Sequence, residues 1–285
     1  MNCLISNVAA AIEGALSQFA KTATVEAEYG ETVVEGSVLT LAHHGPRSGN
    51  PAPCLASNGV AGEGIEALGL SHLDLDSLGG CAAIIGRKPE ASTFWQLAAF
   101  VDVNGPHKLG SAGAEPADVA RLYAFWAWSQ KNRYLPPRDG SVDDVTEQVM
   151  SALAVIERIC ADDPDLLRSG EEFRLAEDAL NKRSFCEYEL GVIVRVADTF
   201  VSHLYVAPEG NPAKAVVAFN TVTGAVTLSL ADPIEGVSAC AIMQAIFGPT
   251  AGGHAGIAGS PRGARYRLAD VLATAEAIRD ALFGK

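Results

Sequence analysis

Ile65-Glu66-Ala67-Leu68-Gly69-Leu70-Ser71-His72-Leu73-Asp74-Leu75-Asp76-Ser77-Leu78-Gly79-Gly80-Cys81-Ala82-Ala83-Ile84-Ile85 decides the fold class. Ile65 to Ser71 reads as a short apolar strand that hands over to His72, Asp74 and Asp76, and the small residues from Ser77 onward open a helix packed closely on a sheet. That is a strand-to-helix crossover. In open α/β sheets ligands bind there, outside the carboxyl ends of the strands.

Upstream, Ile5, Val8, Ala9, Ile12, Ala15, Leu16 and Phe19 recur at helical spacing and predict an amphipathic first helix over 5–20. Val25 to Tyr29 and Thr32 to Ala42 read as two β-rich runs hinged at Gly30, the second delivering His43 and His44 to its end. The Pro- and Gly-rich stretch 45–64 reads as a long loop, of the kind that is often functional. Arg47 within it is a candidate phosphate contact, weighed against a solvated loop arginine.

Downstream, Trp95 to Val103 is apolar and reads as a second buried strand, ending in Asp102, Asn104 and His107. Helices are predicted from Glu115-Pro116 through Trp128, from a Ser141/Asp144 cap through Ile156, and from Asp163-Pro164 to about Lys182. From Tyr188 the pattern turns to strands: 191–196, 200–206, 215–220 and 225–230, with a turn at Thr223-Gly224 joining the last two as an antiparallel hairpin. A helix over 237–247 leads into Gly252-Gly253-His254-Ala255-Gly256-Ile257-Ala258-Gly259, and 268–283 closes the chain as an amphipathic helix.

The fold class is therefore α/β, in three parts. An N-terminal parallel-sheet metal domain covers 1–140, a helical linker 141–185, and a smaller mixed α/β domain 186–285. With 285 residues, 48% of them hydrophobic, the chain is comfortable for two cores. A net charge of −13 argues against binding a long nucleic-acid duplex and leaves room for a small anion held by a metal. Six cysteines without a CxxC pair read as reduced thiols of a cytoplasmic protein. No basic n-region and no run of about 18 apolar residues is present, so neither export nor membrane insertion is expected. The oligomeric state is left open, a homo-oligomer included.

The chemistry is concentrated in two motifs. His72, Asp74 and Asp76 offer one imidazole and two carboxylates at a strand end, a donor set for a divalent ion, with imidazole favouring Mn²⁺ over Mg²⁺. The bland alternative is that the aspartates cap the next helix. Asp102 joins them if its strand neighbours theirs in a parallel sheet, and His107 lies five residues on. Of His43 and His44 only one is expected to face a metal, because adjacent residues of an extended chain point to opposite faces; His44 is taken as the ligand. A zinc centre of His43, His44 and His72 is a further reading. In the second motif Gly252 and Gly253 allow close backbone approach, His254 donates to an anion, and Arg262 can hold a phosphate bidentately. His203, inside an apolar run, is read as structural.

Together these residues resemble the DHH phosphoesterase superfamily, as a divergent member. The likeness rests on Ala215–Phe219, the Gly224 turn, Val226–Ser229, the helix to Phe247 and Gly252-Gly253-His254, over roughly 186–265, and on His72-Leu73-Asp74-Leu75-Asp76-Ser77 as the first metal motif. No Asp-His-His triplet exists: Ala42-His43-His44 has the histidines but precedes the first motif. Asp102 corresponds either to the lone second-motif aspartate or to the first residue of the triplet. The resemblance implies a C-terminal DHH-associated domain and a Mn²⁺ (or Mg²⁺) centre of one or two ions. In it His72, Asp74, Asp76 and Asp102 are ligands, with Asp74, Asp76 and Asp102 catalytic and Gly252, Gly253, His254 and Arg262 binding substrate. The expected activity is hydrolysis of a small phosphorylated ligand such as a nucleotide or short oligonucleotide. The alternative is a catalytically degenerate nucleotide-binding or interaction protein of the same fold.

Overall fold

The computed structural model describes residues 1–137 and 139–284 and divides the chain into two compact units, 1–174 and 175–285. It is mixed α/β, with a largely parallel sheet in the first unit and a separate mixed sheet in the second.

In the first unit β1 (Asn2–Ile5), α1 (Ala9–Leu16), β2 (Thr22–Val25), a small β3–β4 hairpin (Glu28–Tyr29 and Thr32–Val33), β5 (Leu39–Leu41) and β6 (Ala67–Leu70) precede α2 (Leu75–Ile85). Then come α3 (Ser92–Asn104), α4 (Pro116–Asn132), β7 (Asp143–Asp144) and α5 (Thr146–Cys160). The sheet order is β5-β2-β6-β1-β7, with β5, β2, β6 and β1 mutually parallel and β7 antiparallel at the edge. All four residues of β6 are buried. A strand flanked on both sides and covered on both faces needs such a continuous apolar run.

Three expectations for this unit change. The predicted first helix over 5–20 is shorter, because Asn2–Ile5 pairs with β6 as a strand whose Cys3 and Ile5 point into the core. Trp95 to Val103 is a helix and no strand: Phe94, Leu97, Ala98 and Val101 hold the i, i+3, i+4, i+7 spacing of one face, masked by the additional apolar Trp95, Ala99 and Phe100. Ser141 does not cap α5, whose N-cap is Val145; Asp144 accepts the Thr146 N–H instead. Helix α5, in the stretch expected as a linker, packs Val149, Leu153, Ile156 and Ile159 into the core of the first unit.

Helix α2 starts where the crossover was expected. Asp74 is its N-cap in a capping box, accepting the Ser77 N–H at 2.9 Å while Ser77 Oγ accepts the Asp74 N–H at 2.9 Å. Gly79 lets it approach the 53–55 turn and α3. A Cβ on Gly79 would lie 2.4 Å from Cys54 Cβ and 2.8 Å from Trp95 Cζ3.

Helix α6 (Pro164–Ser184) runs through the division between the units. The second unit then contains β8 (Phe185–Glu189), β9 (Val192–Ala197), β10 (Ala215–Asn220), β11 (Val226–Leu230), α7 (Ala239–Phe247), β12 (Gly252–Gly253), β13 (Ile257–Gly259) and α8 (Leu268–Phe283). Its sheet order is β12-β13-β11-β10-β9-β8, with β9 and β10 parallel and the β10–β11 hairpin antiparallel as expected. The strand expected over 200–206 does not form; Val206 makes only an isolated bridge to Pro212. Its carbonyls are engaged elsewhere. Arg195, fully buried, donates to the Leu204, Val206 and Asn181 carbonyls, to Asn181 Oδ1 and to Ser184 Oγ, so the guanidinium is satisfied by neutral oxygens alone. Among the described residues no helix is long and apolar enough to cross a membrane.

The close packing of α2 gives a first prediction. Gly79→Ala lowers the denaturation midpoint by the equivalent of about 1–3 kcal/mol, the usual cost of overpacking. Gly14→Ala, on α1 with open space around it, raises the midpoint because alanine is the better helix former. Chemical denaturation of the two variants beside the parent checks both signs.

Candidate metal centre

Three adjacent parallel strands end at one place. β2 delivers Glu26, β5 delivers His43 and His44, and β6 delivers His72, with Asp74 and Asp76 following at the start of α2. Asp102 reaches the same point from the last turn of α3, not from a neighbouring strand as the sequence suggested.

The centre of the cluster is Glu26, fully buried and with a φ of 48°, a left-handed conformation uncommon outside glycine. Glu26 Oε1 lies 3.1 Å from His43 Nε2 and 3.1 Å from His44 Nε2, while Oε2 lies 3.3 Å from His72 Nε2. One carboxylate thus faces three imidazoles, two on one oxygen and one on the other. Around it, His43 Nε2 is also 3.2 Å from Asp76 Oδ2 and 3.2 Å from Asp102 Oδ2, and His72 Nε2 is 3.2 Å from Asp74 Oδ2. The floor is buried and the rim is open: the side chains of His44 and His72 are 47% and 42% exposed.

Neighbours hold these side chains in place. The Glu28 carboxylate accepts the backbone N–H groups of both His43 (3.4 Å) and His44 (2.9 Å). Both rings turn inward onto Glu26, with centroids 4.0 Å apart, where the sequence predicted only one. Asp76 Oδ1 accepts the Cys54 N–H at 2.9 Å, which aims Oδ2 at His43. Asp74 serves both readings weighed for it, capping α2 with Oδ1 and facing His72 with Oδ2.

The electrostatics are those of a compensated pocket. Burial alone raises the Glu26 carboxyl, but the imidazoles of His43, His44 and His72 that face it override this and hold the group well below the usual range. Burial opposes charge on His43, yet Asp102, Asp76 and Glu26 push it up to about 12; His72 is likewise raised to about 10 by Asp74 and Glu26. Glu26 raises His44 as well. Burial, aided by the negative charge of Glu26, raises Asp76.

The donor set fits a divalent cation. Ligand atoms within 4.8 Å of one another are offered by Glu26, His43, His44 and Asp102, and by Glu26, His72 and Asp74. Such separations suit donors arranged about 2.0–2.6 Å from a common point. A single imidazole nitrogen carries one hydrogen at most, so three carboxylate oxygens around His43 Nε2 exceed what it can satisfy. Accordingly Asp76 Oδ2 and Asp102 Oδ2 are buried without a hydrogen-bond partner, as is Glu26 Oε2 on the His72 side. Buried carboxylate oxygens left in this way are what a cation would compensate.

Of the sequence-derived candidates, His44, His72, Asp74 and Asp102 fall within these two sets, and Asp76 adjoins His43. His107, on the 3₁₀ turn 106–111, is in neither set. Arg47 is paired with Glu35, and His203 with Glu177 at 3.2 Å. Glu26 was missed. Its signal was an acid directly after the β-prone run Thr22–Val25, at a strand end one residue short of the offset at which His43 and His72 follow theirs.

In the second unit the glycine motif is a tight β12–β13 hairpin. Gly253 has a φ of 148°, and a Cβ there would lie 2.3 Å from the Ile257 carbonyl oxygen, so no side chain fits. His254 is exposed; its Nδ1 accepts the Gly256 N–H at 3.3 Å, and Arg262 is exposed nearby in sequence.

No family model matches the chain, and no curated protein matches it. Among solved structures, the crystal structure of an uncharacterized protein from Helicobacter pylori G27 is similar at 13% identity, with a TM-score of 0.22 over 68% of this chain. This chain covers 60% of the length of that one, and a likeness at this level carries no argument about fold or role.

Proposed function

We propose that the chain is a divalent-metal-dependent phosphoesterase acting on a small phosphorylated substrate such as a nucleotide or short oligonucleotide. The observation that carries this reading is the shared carboxylate: Glu26 belongs to both donor sets, one oxygen toward His43 and His44 and the other toward His72. A carboxylate between two adjoining donor sets suits a pair of ions, an arrangement common among phosphatases and nucleases. When bound, such a pair supplies Lewis acidity to a phosphoryl oxygen and acidifies water. The mixed imidazole and carboxylate donors favour Mn²⁺ over Mg²⁺.

The resemblance to DHH phosphoesterases gains support from space more than from chain order. His43 and His44 precede the His72-Asp74-Asp76 motif, yet their Nε2 atoms lie against the same Glu26 carboxylate. In this reading Asp102, Asp74 and Asp76 complete the centre, and Gly252, Gly253, His254 and Arg262 are a candidate phosphate contact within the second unit.

Assay of a nucleotide panel with Mn²⁺ tests the proposal. Chelator-sensitive hydrolysis is expected, and Glu26→Gln lowers kcat more than about 100-fold, beyond the usual cost of losing an outer partner. His254→Ala raises KM about tenfold with kcat held, as loss of a hydrogen bond to a charged group does. Nucleotide binding without turnover, unchanged by chelator, supports the degenerate alternative instead.

The charge state of the pocket yields a separate expectation. His43 and His72 stay protonated up to about 12 and about 10 in the metal-free chain, whereas a ligating imidazole nitrogen is bare. Metal binding therefore releases protons, and affinity for Mn²⁺ rises with pH across the neutral range. Titration calorimetry in buffers of different ionisation enthalpy reads the protons released; a heat independent of buffer contradicts the assignment.

A further inference from the structure

Ser71 sits between the end of β6 and the first ligand of the motif. Its hydroxyl donates to the Glu26 backbone carbonyl, which can only accept, and is also 2.9 Å from His72 Nδ1. A serine hydroxyl has one hydrogen. With that hydrogen committed to Glu26, the contact with His72 is made only by an Nδ1–H donating to Ser71 Oγ.

We propose that Ser71 is a positioning residue that keeps the His72 proton on Nδ1 and commits His72 Nε2 as a ligand of the more exposed half of the centre. The inference rests on the metal reading given above. Nε2 lies 3.2 Å from Asp74 Oδ2 and 3.3 Å from Glu26 Oε2, so with Nδ1–H held by Ser71 the nitrogen that gives up its proton to a metal is the one facing the donor set. The same hydroxyl ties this ligand to the backbone of Glu26, the residue common to both sets. His43 and His44 are held instead by Glu28, through their backbone N–H groups, so neither imidazole of the other half is positioned by Ser71 directly.

Equilibrium dialysis with Mn²⁺ on the full chain, as parent, Ser71→Ala and Ser71→Thr, is the test. Ser71→Ala is expected to weaken one class of Mn²⁺ site about 10–100-fold, as loss of a partner behind a ligating histidine does, and to leave the other class unchanged. Ser71→Thr, which restores a hydroxyl, returns the affinity to within about threefold of the parent on the same scale. In the Zn²⁺-loaded parent, nitrogen-15 spectra are expected to show His72 coordinated through Nε2 with a proton on Nδ1. Parent-like binding of every ion by Ser71→Ala, or coordination of His72 through Nδ1, overturns the role of Ser71 while leaving the metal centre standing. A parent that binds no Mn²⁺ defeats the metal reading and this inference together.

Discussion

Burying a carboxylate is costly, and the first unit is arranged around the compensation of one. Glu26 leaves β2 fully buried, and an isolated ionised carboxylate in that position would abandon its charge. Three imidazoles prevent this, each delivered by a strand that neighbours β2. The parallel order β5-β2-β6 is what brings them together, since it places three strand ends side by side at one edge of the sheet. Packing serves the same end. The bare surface of α2 at Gly79 admits the Cys54 turn, whose N–H then fixes Asp76 against His43.

The second unit handles a buried charge in a different way. Arg195 has no carboxylate partner; its donors are met by carbonyls, an amide oxygen and a hydroxyl. Burial depresses its pKa only to about 10, so it remains a cation. The contrast is instructive. The Arg195 N–H groups all find acceptors and the residue is complete as it stands, whereas the Glu26 cluster leaves three carboxylate oxygens without hydrogen bonds. Satisfied burial of this kind suits a structural role, and surplus donors suit a ligand.

How far the sequence could be read follows from these two sites. The crossover at His72, the capping by Asp74, the small-residue helix and the β10–β11 hairpin were legible because each depends on residues close in the chain. Asp102 does lie beside His43, but it arrives from a helix: extra apolar residues hide the helical period and make the segment look like a buried strand. The failed strand over 200–206 depended on Arg195, a partner no local pattern reveals. Glu26 escaped because its neighbours Glu28 and Glu31 make it look like one acid in a solvated run. The pairing of His43 with His44 escaped because their backbone N–H groups are held by Glu28, a residue of another strand.

The order of the sheet has a consequence for biosynthesis. β1 and β2 are not hydrogen-bonded to each other; β6 lies between them and pairs with both, while β2 has β5 on its other side. As the chain emerges from the ribosome, those early strands have no shared partner until residues 67–70 have been made, and non-local pairing of this sort is intrinsically slow. Glu26 is synthesised well before His72, so for that interval the nascent chain carries its future buried carboxylate in water. Pairing of β6 joins β1 to the β2–β5 pair and brings His72 against Glu26, so one four-residue strand links the two parts of the sheet and carries the second half of the imidazole set to the first.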